Sequence, residues 1–195
     1  MEKKFELTDK FVFNTFGIKL FQIKCTKSFK YAKEGDLGGY VEKDENLDQE
    51  SDAWVSGDAW VYGNARVSGN AQVSGDAWVY GNAQVSGDAR VSGNAQVSGD
   101  ARVSGNAQVY GNAQVYGNAD IENDNNHCGF DCFGSCNRHT HAYLTKDNKV
   151  EITCGCFRGS IEEFEKKVEG THSGTIYEKQ YKAIINVIKI KFGVD

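Results

Sequence analysis

Proline is absent from the 195 residues. That removes rigid proline linkers and slow X-Pro isomerisation from the account. Long apolar runs are absent too, and none approaches the ~20 residues a membrane-spanning helix needs. The opening Met1-Glu2-Lys3-Lys4-Phe5-Glu6 lacks the apolar core of a secretory signal, so no signal peptide is expected. Positive charge is not in excess: a net charge of −5 argues against general nucleic-acid binding. The cysteines are not spaced like a secreted disulfide scaffold, so a reducing, cytoplasmic setting is expected. Apolar content is ordinary, so a core can form, and the length allows one domain with caps.

What the chain has in place of these is a period. From Ala53 to Ala119 it repeats Ala-x-Val-x-Gly-Asp/Asn every six residues without a slip. Side chains alternate across a strand, so Ala and Val share one face and the two variable positions share the other. Gly with Asp or Asn then turns the chain, because both tolerate left-handed backbone angles. A short strand and a corner make one side of a prism, and three units make an 18-residue coil. The pattern predicts a parallel β-helix filled by Val and Ala. At about 4.8 Å per layer the stack should rise roughly 15–20 Å. Its ends are open strand edges, so the rest of the chain should supply caps. The nine-residue calcium repeat of RTX rolls is absent.

The spacing Val55 to Ala59, Val61 to Ala65, and onward resembles the hexapeptide repeat of left-handed β-helices, which implies left-handed winding. Residues 18 apart should lie above one another. One prism side then carries Trp60, Trp78, Gln96 and Gln114, beside Tyr62, Tyr80, Ser98 and Tyr116. Trp60, Tyr62, Trp78, Tyr80 and Tyr116 are the candidate binding or interface residues, because aromatic clusters on a surface mark contact sites. The other two sides carry Trp54, Gln72, Arg90 and Gln108, and Arg66, Gln84 and Arg102.

Before the repeat, Lys4–Leu7 and Ile18–Cys25 alternate around Thr15-Phe16-Gly17 and predict an antiparallel hairpin. Counting back in sixes from Ala53 reaches Leu47 and Val41, which places both on the inward alanine track of a starting coil. Gly38-Gly39 then reads as tight turning into that coil; no Lys-Ser/Thr follows to suggest a phosphate loop. After the repeat, residues 120–137 predict a loop. Arg138–Thr145 and Lys149–Phe157 predict a second hairpin around Lys146-Asp147-Asn148. Ser160 with Glu163 forms a capping box for a helix that Gly170 stops. A second helix, about Thr175–Phe192, buries Tyr177, Tyr181, Ile184, Ile185 and Ile188. The expected fold is therefore mainly β: an N-terminal β cap and coil entry over 1–52, a left-handed parallel β-helix of about four coils over 53–121, and a loop plus ββαα unit over 122–195.

Gly35-Asp36-Leu37-Gly38-Gly39-Tyr40-Val41-Glu42 through Asn46-Leu47, and later Thr153-Cys154-Gly155-Cys156-Phe157-Arg158-Gly159-Ser160-Ile161, resemble the two caps of a family of hexapeptide-repeat proteins found in phage and prophage genomes. The resemblance spans nearly the whole chain and implies phage origin, with a host-cell cytoplasmic setting and no established activity.

Zinc is the cofactor to consider. Cys128, Cys132, Cys136, His139 and His141 are candidate ligands, with His127 in the same cluster and Cys154 and Cys156 nearby on the hairpin, since Cys and His are its preferred donors; the alternatives are reduced buried or loop thiols and redox pairing. Cys154 and Cys156 share a face with Val150 and Ile152, and His139, His141 and Tyr143 share one of their own. The expected function is a non-enzymatic binding scaffold that self-associates, as a trimer first, and engages a host protein or small ligand such as a signal nucleotide, with anti-defence as one concrete form. The rival is an acyltransferase-like enzyme, because many hexapeptide β-helices transfer acyl groups from acyl-CoA. Against it, no coil contains a histidine. The coils also lack the threonine array of ice binding and the dense acidity of a DNA mimic.

Overall fold

The computed structural model describes residues 2–194. Strands β1 (Phe5–Phe13) and β2 (Lys19–Cys25) form an antiparallel hairpin, and β3 (Leu37–Val41) pairs with β2. Twelve two-residue strands follow, from β4 (Trp54–Val55) to β15 (Asp120–Ile121). The first nine each pair in parallel with the strand three further on, so the chain winds through three sheets in turn. The result is a parallel β-solenoid of about five turns. Strands β16 (His127–Phe133), β17 (Arg138–Leu144), β18 (Val150–Cys154) and β19 (Phe157–Gly159) form a separate antiparallel sheet, followed by helices α1 (Ile161–His172) and α2 (Ile176–Phe192).

The repeat dictates the interior directly. The Ala and Val of every turn are buried, and each buried valine contributes about 1.5–3 kcal/mol. Corner glycines need both their left-handed angle and their missing side chain. Gly87 has φ 66°, and a Cβ there would meet the Gly105 carbonyl at 2.8 Å in the next turn. The Asp/Asn that follows stacks as well. Asn64 donates to Asn82 at 3.1 Å, and Asn82 donates to Asp100 at 3.0 Å. An amide donor above a carboxylate acceptor makes a continuing ladder where two carboxylates would repel.

The winding starts earlier than the repeat, which corrects the expected four coils. Tyr40-Val41 pairs with Trp60-Val61, and Leu47 bridges Val67. Val41 and Leu47 therefore occupy the valine track, not the alanine track. The reason is a two-residue insertion between Leu47 and Val55, which breaks the count of six. Gly38 and Gly39 lie within a strand rather than a turn. A Cβ on Gly38 would sit 2.6 Å from the Val55 carbonyl, and one on Gly39 would sit 2.7 Å from that of Ala59, so close backbone approach is what they permit.

Both ends are closed. At the start, Phe5, Ile23 and Cys25 join the solenoid core. The Lys4 ammonium is drawn into the inserted corner, where it donates to the carbonyls of Asp48 (2.6 Å), Ser51 (2.7 Å) and Ala53 (2.8 Å). Desolvation pulls its pKa down to about 8, against the pull of Asp48 and Asp52. At the finish, Tyr143 of β17 is fully buried against the last turn, and Thr153 donates to the Gln114 carbonyl at 2.9 Å. The C-terminal sheet is thus a cap whose other face carries the helices. Three expectations change. Residues 127–133, expected as loop, form the strand β16; α1 runs past Gly170 to His172; Tyr177 is only half-buried.

Lys4→Met should lower stability by at least about 2 kcal/mol, because three carbonyls lose the one charged donor they have among the described residues. Chemical denaturation measures this, and a change below about 0.5 kcal/mol would show the corner to be satisfied without it.

Candidate binding surface and the histidine cap

The vertical register of the solenoid stacks the aromatic ladder. Trp60 lies on Trp78 with ring centroids 5.0 Å apart and planes 4° apart, and Tyr62 lies on Tyr80 at 5.1 Å and 4°. Ring faces are therefore spent on one another and ring edges point outward. The five candidates do not share one exposure. Tyr62 is only 5% exposed, because Leu20, Val12 and Ile18 of the N-terminal hairpin fold over it and Tyr40. Burial raises its phenol to about 12. Tyr62 is thus removed from any surface open to a partner. Trp60, Trp78, Tyr80 and Tyr116 remain half-exposed. Tyr116 donates to Gln96 at 2.9 Å, and burial followed by the neighbouring Tyr80 raises its phenol to about 12.

Beside the ladder runs a groove of about 380 Å³, with Trp60 and Trp78 on its floor and Val12 and Tyr40 at its closed end. Asp58 and Asp76 line it, and among the described residues no cation does.

The five candidate metal ligands are not brought together. Alternation in β16 and β17 sends Cys128 to the helix side, with Ala142, Phe130 and Cys154, while His139 and His141 face the solenoid. Cys132 and Cys136 are exposed in and beside the β16–β17 turn, where Cys132 adopts a left-handed φ of 63°. The sheet itself separates thiols from imidazoles. Among the described residues no group of three or more His, Cys, Asp or Glu side chains is arranged around a metal position.

The solenoid-facing side instead gathers three imidazoles. His127 Nδ1 and His141 Nε2 share a hydrogen bond of 2.9 Å, and His139 Nδ1 bonds Asp131 at 2.7 Å. Gly129 lies opposite His141, and a Cβ there would strike the His139 ring at 2.6 Å, so glycine makes the room. A cavity of about 340 Å³ joins this cluster to Gln108, Tyr110 and Ala113 of the last turn. Among the described residues, His139 Nε2 and His141 Nδ1 are buried without a hydrogen-bond partner, and His127 Nε2 has only the Asp124 carboxylate at 3.5 Å. Burial, then His127 and His139, drives the His141 pKa down to about 3; burial also lowers that of His127. The sequence groups His127 with His139 and His141, but as a loop residue; its pairing with His141 does not show there because residues 120–137 lack apolar alternation. The usable signal was the two-residue spacing His127, Gly129, Asp131, which mirrors His139, His141, Tyr143.

The family model described as YdcK beta solenoid repeat matches residues 59–75, 71–84, 83–97 and 95–111, all within the solenoid. No curated protein matches the chain. Fold and match together define a β-solenoid repeat protein.

His141 gives the cap a pH dependence. Its folded pKa lies below the ordinary value, so between about pH 6.5 and 3 the unfolded chain takes up a proton that the folded chain refuses. Stability should be full above pH 6.5 and fall as pH drops, by about 1.4 kcal/mol per pH unit for each such histidine. Unfolding midpoints from pH 7 to 4 should fall less steeply for His141→Gln than for the wild type; parallel curves would contradict the assignment.

Proposed function

We propose that this chain is a non-enzymatic binding scaffold, encoded by a phage or prophage, whose solenoid presents Trp60, Trp78, Tyr80 and Tyr116 to a partner. One observation carries the reading. Trp60 and Trp78 are locked in a parallel stack by the backbone register, Tyr80 is stacked on the buried Tyr62 and Tyr116 is bonded to Gln96, so the surface loses little side-chain freedom on binding. Phage origin rests on the resemblance of both caps, and cytoplasmic location on that origin together with the reduced cysteines.

The first partner is a second copy of the chain. With the left-handed winding that the hexapeptide spacing implies, three prism sides can close a ring in which each copy packs one side against the next. The groove side offers Asp58 and Asp76, and another side offers Arg66 and Arg102, so the two are complementary in charge. The assembled protein then has its C-terminal caps free to sequester a host protein or a signal nucleotide, the anti-defence form of this function.

Light scattering should give a trimer, three times 21.5 kDa. Trp78→Ser removes a contact worth about 2–3 kcal/mol per copy and should yield a folded monomer. A wild-type monomer, or a variant that stays trimeric, would contradict self-association through this face.

A second reading, acyl transfer, is favoured by one observation. The Asp131–His139 pair leaves Nε2 free beside the last turn, in the arrangement of a general base. Hydrolysis or transfer from acyl-CoA, lost in His139→Gln, would select it; silence with both proteins would discard it.

A further inference from the structure

On the helix side of the C-terminal sheet lies a cavity of about 220 Å³ that neither reading above uses. Its walls are aromatic and in mutual contact. Phe157 meets Phe164 at 5.0 Å, Phe164 meets Tyr181 edge-on at 5.6 Å, and His172 stacks on Tyr181 at 5.5 Å. Cys154 and Val168 complete the floor. An apolar cavity of about 150 Å³ is enough to take up benzene, so this one has room for a single ring with a small substituent.

The permanently charged groups that line it have one sign. Arg138 and Lys167 both line it, and neither forms an ion pair among the described residues. No described lining residue is acidic, although the chain as a whole carries −5. The Arg138 guanidinium lies against Gly155, where a Cβ would strike it at 2.5 Å, so glycine leaves it the room. Beside the rim, Gly134 is pinned to α2 by a 2.9 Å bond from its amide to Gln180 and by the Tyr181 hydroxyl lying against it.

We propose that this cavity binds a small aromatic anion, a single ring bearing a carboxylate or a phosphate. The ring enters the Phe157–Phe164–Tyr181 wall, and the anionic group stays at the mouth between Arg138 and Lys167. Arginine's planar fork suits either group in a bidentate contact. A neutral ring forgoes the two cations, and a bare inorganic anion forgoes the walls.

The test uses the full chain and amide chemical-shift titration with four probes: benzoate, phenyl phosphate, benzyl alcohol and inorganic phosphate. At least one ring anion should bind and shift the amides of Arg138, Cys156, Lys167 and Thr171. Comparing benzoate with phenyl phosphate tells which headgroup is preferred. Benzyl alcohol and inorganic phosphate should bind about tenfold or more weakly, and Arg138→Gln and Lys167→Gln should each weaken the ring anion about tenfold. Lys167 is exposed on α1, so its variant retains the fold if the Arg138 variant does not. The proposal is overturned if neither ring anion shifts these amides at millimolar concentration, if benzyl alcohol binds equally well, or if Lys167→Gln binds as the wild type does.

Discussion

Every turn of this solenoid depends on the turn beside it through hydrogen bonds that repeat every 18 residues. Trp60 donates to the carbonyl of Ala77, Trp78 to that of Ala95, and Gln96 to that of Ala113, at 2.9 Å each time. A single two-residue strand cannot persist alone in water, so stability is a property of neighbours. The constraint sets the rest of the molecule. Corner residues must let backbones approach, which selects glycine. Inward residues must fill a narrow prism, which selects Ala and Val. The two terminal turns must find partners from outside the repeat.

Those partners explain the non-repeating chain. Three carbonyls at the starting edge are served by one buried ammonium, that of Lys4. At the finishing edge the amide of Gln108 meets the Asp124 carboxylate at 2.8 Å, and that of Tyr116 meets the Tyr143 hydroxyl at 3.2 Å. The candidate sites are placed by the same logic. The hairpin that closes one end also folds over Tyr62, leaving Trp60 and Trp78 as the wall of a groove. The sheet that closes the other end has two faces, one holding imidazoles against the solenoid and one holding an aromatic cavity beneath the helices.

The solenoid was legible in the sequence because a six-residue period without a slip admits few structures. Vertical stacking followed from arithmetic, and Trp60 does lie on Trp78. The capping box at Ser160 and the stripe of Tyr181, Ile184, Ile185 and Ile188 were legible for similar reasons, since local chemistry and helical spacing leave a direct mark. Other features hid where long-range packing decides. Nothing local says that Leu20 covers Tyr62, or that Lys4 reaches a corner 44 residues away. Strand β16 lacks an apolar stripe because one of its faces is built from His127, Gly129 and Asp131. The candidate zinc ligands are not gathered among the described residues: Cys128 and His141 lie on opposite faces of one sheet, which spacing along a loop does not show.

The central claim is that a stack of mutually dependent turns is finished at both ends by dedicated caps. Native-state hydrogen exchange of the repeat amides tests it most directly. If the caps complete the stack, the amides of Trp54 and Trp60 at one end and of Gln108 and Tyr116 at the other should exchange nearly as slowly as that of Gln84 at the centre. Exchange that accelerates by orders of magnitude from Gln84 towards either end would show fraying turns and contradict the account.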